Sequence, residues 1–115
     1  MIPEKFKSVF GIKDLELEVV EGNVERYIYS GENLQIIIYH FPPHKVFPVH
    51  SHDKHEQMGF LHKGKMGFMV DGKEHILNPG DVYHAPIGVE HNAWTFEEPS
   101  VLIDLFSPPR EDLIK

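Results

Sequence analysis

The chain has no cysteine, which excludes disulfides and thiolate ligands, so any metal must be held by nitrogen or oxygen. Cations are scarce. Eleven Lys and Arg face 18 Asp and Glu, leaving a formal charge of −7. With no basic cluster, that balance argues against nucleic acid and against anionic membranes as partners. No apolar run approaches the ~20 residues of a spanning helix. The opening, Met1-Ile2-Pro3-Glu4-Lys5, has no signal-peptide pattern. A cytoplasmic location is expected. Helical periodicity is also nearly missing, which removes the helical fold classes and leaves strands.

What is present suits one domain, residues 1–115, with residues 1–14 as an arm. Short β-branched and aromatic runs alternate with turn signals. Strands are predicted at 24–29, 34–41, 46–52, 57–62, 65–70, 73–77, 82–85, 91–96 and 101–106. Pro42-Pro43 ends the second, because proline cannot donate to a ladder. Asp71-Gly72 predicts a type I′ hairpin. Only 111–115 could form a helical turn, after Pro108-Pro109. The pattern predicts an antiparallel all-β barrel or sandwich. Both faces of the last two strands are apolar, so the outer one needs a cover. A homodimer burying Trp94, Phe96 or their neighbours is expected, with the N-terminal arm as the other candidate cover.

Nine histidines are many for 115 residues, and all lie in the span from His40 to His91. In extended chain, residues two apart face the same way, so His50 and His52 can present two imidazoles to one point. Imidazole is the commonest protein ligand for a divalent metal. Glu56 and Gln57 both follow within reach. Strand alternation places Gln57, Gly59 and Leu61 inward and Glu56 outward, which favours Gln57 as a further ligand.

The spacing can be followed further. His50-x-His52 is followed after four residues by Gln57 and after six more by Gly64. Fifteen residues later come Gly80, then five residues, Pro86-x-Gly88, two residues and His91. This resembles the paired signature motifs of the cupin superfamily. The resemblance implies a small single jelly-roll β-barrel with a metal inside, held by His50, His52, Gln57 and His91. Gln57 stands where the family usually has Glu. The ion would be one of Ni, Zn, Fe, Mn or Co. Two positions depart from the pattern: His44 replaces a glycine and Thr95 replaces the closing asparagine, and neither supplies a ligand in the family.

The tail Asp104-x-Phe106-Ser107-Pro108-Pro109-Arg110 looks like the ending of one cupin group. Its members, small enzymes of pectin and alginate breakdown, linearise 4,5-unsaturated monouronates. That likeness implies an acidic-sugar substrate, an acid/base role for Asp104, a carboxylate partner in Arg110 and a pocket wall in Phe106. Physics supports a pocket as well. Leu102, Asp104 and Phe106 share a face, and an unpaired carboxylate there would be very costly. Arg110 is one candidate partner, either in catalysis or as a structural ion pair. His84, His40 and His44 could line the mouth, with His84 the best placed to touch substrate. His55, His62 and His75 read as solvated. A metal-dependent dioxygenase and a non-catalytic sugar-binding module remain alternatives.

Overall fold

The turn signals cut the chain where its strands end. The structure, a computed structural model, describes residues 2–114. Met1 and Lys115, the outer ends of the predicted arm and helical turn, lie outside the described residues. Nine strands follow in order: β1 (Glu18–Val20), β2 (Val24–Ser30), β3 (Gln35–Phe41), β4 (Glu56–Lys63), β5 (Met66–Val70), β6 (Lys73–Leu77), β7 (Val82–Ala85), β8 (His91–Thr95) and β9 (Ser100–Ser107). Two single 3₁₀ turns, Ile12–Asp14 and Glu111–Leu113, are the helical elements among the described residues. No helix there is long and apolar enough to cross a membrane.

The strands form two antiparallel sheets. The larger runs β1-β2-β3-β9-β4-β7 and the smaller β6-β5-β8. Leu61, Leu102, Phe41 and Tyr83 of the first pack against Met66, Phe68 and Leu77 of the second. This is the expected jelly roll, built as facing sheets rather than as a closed ring. The predicted strand at 46–52 is not continuous. Its backbone pairs with β8 at the bridges Val46–Trp94 and His50–His91, which are one residue out of register with each other, and Pro48 between them has no N–H to give. The missed strand is β1. It folds back on β2 through Gly22 and Asn23, both at positive φ (80° and 60°). The predicted Asp71-Gly72 turn has positive φ at both residues, 52° and 79°. His44, where the motif has glycine, has a left-handed backbone, at φ 55°.

Along β4 the burial alternates from Glu56 to His62. Gln57, Gly59 and Leu61 face inward, while Glu56, Met58 and Phe60 face outward. Gly59 has no room for a side chain. A Cβ there would lie 2.4 Å from the Tyr83 ring, 2.5 Å from Asp104 Oδ1 and 2.7 Å from the Ile103 carbonyl.

The apolar surface lies elsewhere than expected. Trp94 is half-buried, its indole lying over Gly67, where a Cβ would meet Cε2 at 2.0 Å. The N-terminal arm packs on β2 instead, with Phe10 against Tyr29 at 4.4 Å. Exposed apolar side chains gather on the outer face of the large sheet: Met58, Phe60, Val82 and Leu105, which are neighbours across β9, β4 and β7.

Candidate active site

The site begins with a backbone bridge. His50 and His91 exchange two N–H···O bonds, of 3.0 and 2.9 Å. In an antiparallel pair, residues directly opposite share a face, so both imidazoles enter the same space. His52 follows two residues on. Its carbonyl accepts the Gly88 N–H at 2.8 Å, and Gly88 needs its positive φ of 80° to turn that corner. The Pro86–Gly88 turn thus locks the two histidine segments together. Ring nitrogens of His50, His52 and His91 lie within 4.8 Å of one another. From β4, Gln57 reaches the same cavity, which has a volume of about 470 Å³.

The free atoms point inward. His50 and His91 donate Nδ1–H to the carbonyls of Pro48 and Val89, at 2.9 and 3.0 Å. Each ring then carries its lone pair on Nε2. Among the described residues, three buried side-chain atoms have no hydrogen-bond partner: His52 Nε2, His91 Nε2 and Gln57 Oε1. Leaving one such atom unsatisfied costs about 1–3 kcal/mol. Three of them facing one cavity fit a group that accepts lone pairs, and a divalent cation is such a group. Burial pulls the His52 imidazole down to about 4, helped by Arg110 and the neighbouring histidines. Burial lowers His91 too, against its bond to the Val89 carbonyl. Both rings are therefore neutral near pH 7, the form that can ligate.

Gln57 is held by a directional chain. Its Nε2 donates to the Tyr83 hydroxyl at 2.7 Å and lies 3.4 Å from Asp104 Oδ2. The Tyr83 hydroxyl in turn donates to Asp104 Oδ1 through a short hydrogen bond. The amide's donor side is thereby fixed toward β7 and β9, and its oxygen is left for the cavity. Asp104 is buried, and burial raises it to about 7, against the Tyr83 hydrogen bond and the Arg110 charge. Burial, together with Asp104, pushes the Tyr83 phenol well above its usual value, so it remains a donor.

The predicted residues divide cleanly. His50, His52, Gln57, His91, Asp104, Phe106 and Arg110 all line the one cavity. His84 does not. In β7 Tyr83 and Ala85 face inward, so His84 faces outward, where its Nε2 meets Glu56 Oε2 at 2.6 Å. Glu56, the other candidate ligand, is thus turned away from the cavity. His40 and His44 are exposed and outside the lining. The suggested Asp104–Arg110 ion pair is also corrected: Arg110 forks onto Asp112, at 3.3 and 2.9 Å, while its guanidinium lies 5.3 Å over the Phe106 ring. Asp104 takes Tyr83 as its partner instead. His55 is only half-exposed, with Nδ1 2.9 Å from the Pro108 carbonyl. Tyr83 was missed, although the alternation that turns His84 outward turns Tyr83 inward.

Comparison with known proteins agrees with this geometry. The cupin-domain family matches residues 37–106. The pectin degradation protein KdgF of Dickeya dadantii is 33% identical over 97 residues, covering 84% of this chain and 88% of that protein. The structure of KdgF from a Halomonas species superposes with a TM-score of 0.88 at 31% identity, covering 95% of this chain and all of that one. An RmlC-like cupin from Shewanella frigidimarina gives 0.84 at 31% identity, over 92% of this chain and 94% of that one.

Proposed function

The chain belongs to the cupin family, and from that premise we propose that it is a metal-dependent isomerase that opens the ring of a 4,5-unsaturated monouronate. One observation carries the reading. A buried acid that titrates near neutral pH, Asp104, shares a cavity with three lone-pair atoms that lack any partner. The likeness to KdgF, a pectin degradation protein, supplies the substrate class.

His50, His52, Gln57 and His91 would hold the divalent cation, one of Ni, Zn, Fe, Mn or Co. When bound, it supplies Lewis-acid polarisation of substrate oxygens. The rest falls to the chain's own residues. Arg110 binds the uronate carboxylate through the N–H groups that Asp112 leaves free. Phe106 walls the pocket and keeps the Arg110 plane in place. Asp104 handles the proton. The bond between the anomeric carbon and the ring oxygen breaks as the anomeric hydroxyl loses its proton. The ring-oxygen electrons form the C5 ketone, and C4 takes up a proton. No oxidant is needed, and a carboxyl group near pKa 7 can both accept and donate at neutral pH.

Proton NMR of an unsaturated monouronate, followed without oxygen, tests this directly. The C4 vinyl signal should disappear as open-chain keto-uronate forms. Chelation should stop the reaction and one of the five metals should restore it. Turnover that requires oxygen would point to the dioxygenase alternative, and no turnover with any of the metals would sink the reading.

The exposed row Met58, Phe60, Val82 and Leu105 supports a homodimer formed on the large sheet. Light scattering at ~10 μM should then give twice the chain mass, and Leu105→Lys should halve it by placing a charge in an apolar interface. A wild-type monomer would remove the dimer.

A further inference from the structure

Arg26 has no part in the chemistry above, yet it lines the same cavity. Its neighbours place it. Arg26 pairs with Tyr39, and Tyr39 with Leu102, one inward-facing row from the row Ile28–Ile37–Asp104. Two strand spacings and one such row put its backbone about 12 Å from that of Asp104. An arginine side chain and a sugar ring together can bridge that gap.

Two guanidinium groups thus face one cavity, and they are held differently. Arg110 is paired along its Nε–Nη2 edge with Asp112, whose side chain is 63% exposed, so solvent screens the pair. Arg26 is paired through Nε alone with Glu18, at 2.7 Å, and both side chains are about one-fifth exposed. Glu18 therefore offsets the Arg26 charge closely and fixes its plane. What remains is a directional guanidinium edge, shared with the Tyr39 phenol and carrying little net charge. That combination suits vicinal hydroxyls better than a second carboxylate. Tyr39 adds a phenol beside it, which burial and the nearby Asp104 keep protonated.

We propose that Arg26, oriented by Glu18 and flanked by Tyr39, recognises the ring hydroxyls of the sugar acid at the end of the cavity opposite the carboxylate. Arg26 would be a specificity-determining residue, rewarding polyhydroxylated rings over bare cyclic acids. The inference rests on the uronate reading, and its test must separate the two.

The probes are galacturonate, which has no 4,5 double bond to react, and tetrahydropyran-2-carboxylate, which keeps ring and carboxylate but lacks hydroxyls. Both are titrated calorimetrically into metal-loaded protein. Wild type should bind galacturonate more tightly. Arg26→Gln and Arg26→Lys should each weaken galacturonate about tenfold, the worth of a charge-assisted hydrogen bond, and shift the hydroxyl-free acid by less than about twofold. Arg26→Lys keeps a cation for Glu18, so its melting temperature should stay near wild type. Equal losses on both probes would make Arg26 a general electrostatic or structural group and overturn the inference, as would no loss at all. Wild type binding both probes alike would overturn it and leave the uronate reading standing. Wild type binding neither would remove both.

Discussion

Asp104→Asn should lower turnover of an unsaturated monouronate by about 10²–10⁴-fold, the usual span for a removed general acid or base, while leaving metal content unchanged. The geometry explains the split. Asparagine has the same shape, and its oxygen can still accept from Tyr83. Gln57 keeps its 2.7 Å bond to Tyr83, so the amide oxygen stays aimed at the cavity. Besides the exchangeable proton, only the long 3.4 Å contact from Gln57 Nε2 to Oδ2 is lost. Atomic absorption measures the metal and NMR the rate. Full activity in the variant would take Asp104 out of the proton path. Loss of metal alongside activity would make it a positioning residue.

The same substitution should change how stability depends on pH in the metal-free protein. An unfolded aspartate titrates near 3.8, but folded Asp104 titrates at about 7, chiefly through burial. Between those values the folded state binds more protons. Stability therefore falls as pH rises through the window, and the loss is complete above ~7. His52 acts oppositely: it titrates at about 4 folded and 6.5 unfolded, so its contribution grows with pH across that interval. The variant keeps the second effect and loses the first. Urea unfolding at pH 5 and pH 8 should show Asp104→Asn gaining about 2–3 kcal/mol on wild type over that step. Parallel responses would mean that Asp104 is ionised throughout.

Much of this was legible because strand alternation is a strict rule. Once β4 was recognised, the period of two fixed Gln57 inward and Glu56 outward. Hairpins with a local turn, such as Asp71-Gly72, could be read for the same reason. What could not be read depends on partners chosen in three dimensions. Asp104 needed a neighbour, and from the chain Arg110 was one candidate. The fold instead supplies Tyr83, because β4 lies between β7 and β9 and brings all three to one inner row. His84 was misjudged by proximity to the second motif, when its parity in β7 already sent it outward. Arg26 gave no local sign at all. Its inward position follows from a register with Tyr39 that the chain alone does not print.

Gln57→Ala should weaken metal binding by at least about 10–100-fold, while Glu56→Ala should leave it within about twofold. The adjacent residues have opposite surroundings. Glu56 is exposed and meets His84 on the outer face, so removing it uncovers nothing that faces the cavity. Gln57 is buried, and its oxygen is one of three unpartnered atoms there. Which end of the amide faces the cavity is set by the neighbours, since Tyr83 gives its proton to Asp104 and so can only accept from Gln57. That makes Tyr83→Phe an informative third variant. Without the phenol the amide loses its 2.7 Å anchor and can rotate, so affinity should fall although no ligand atom has been deleted. Competition titration against a metal-sensitive dye ranks the three proteins. The order Gln57→Ala weakest, Tyr83→Phe intermediate and Glu56→Ala near wild type is what this polarity requires. A larger loss from Glu56→Ala than from Gln57→Ala would mean that the acid, not the amide, reaches the ion.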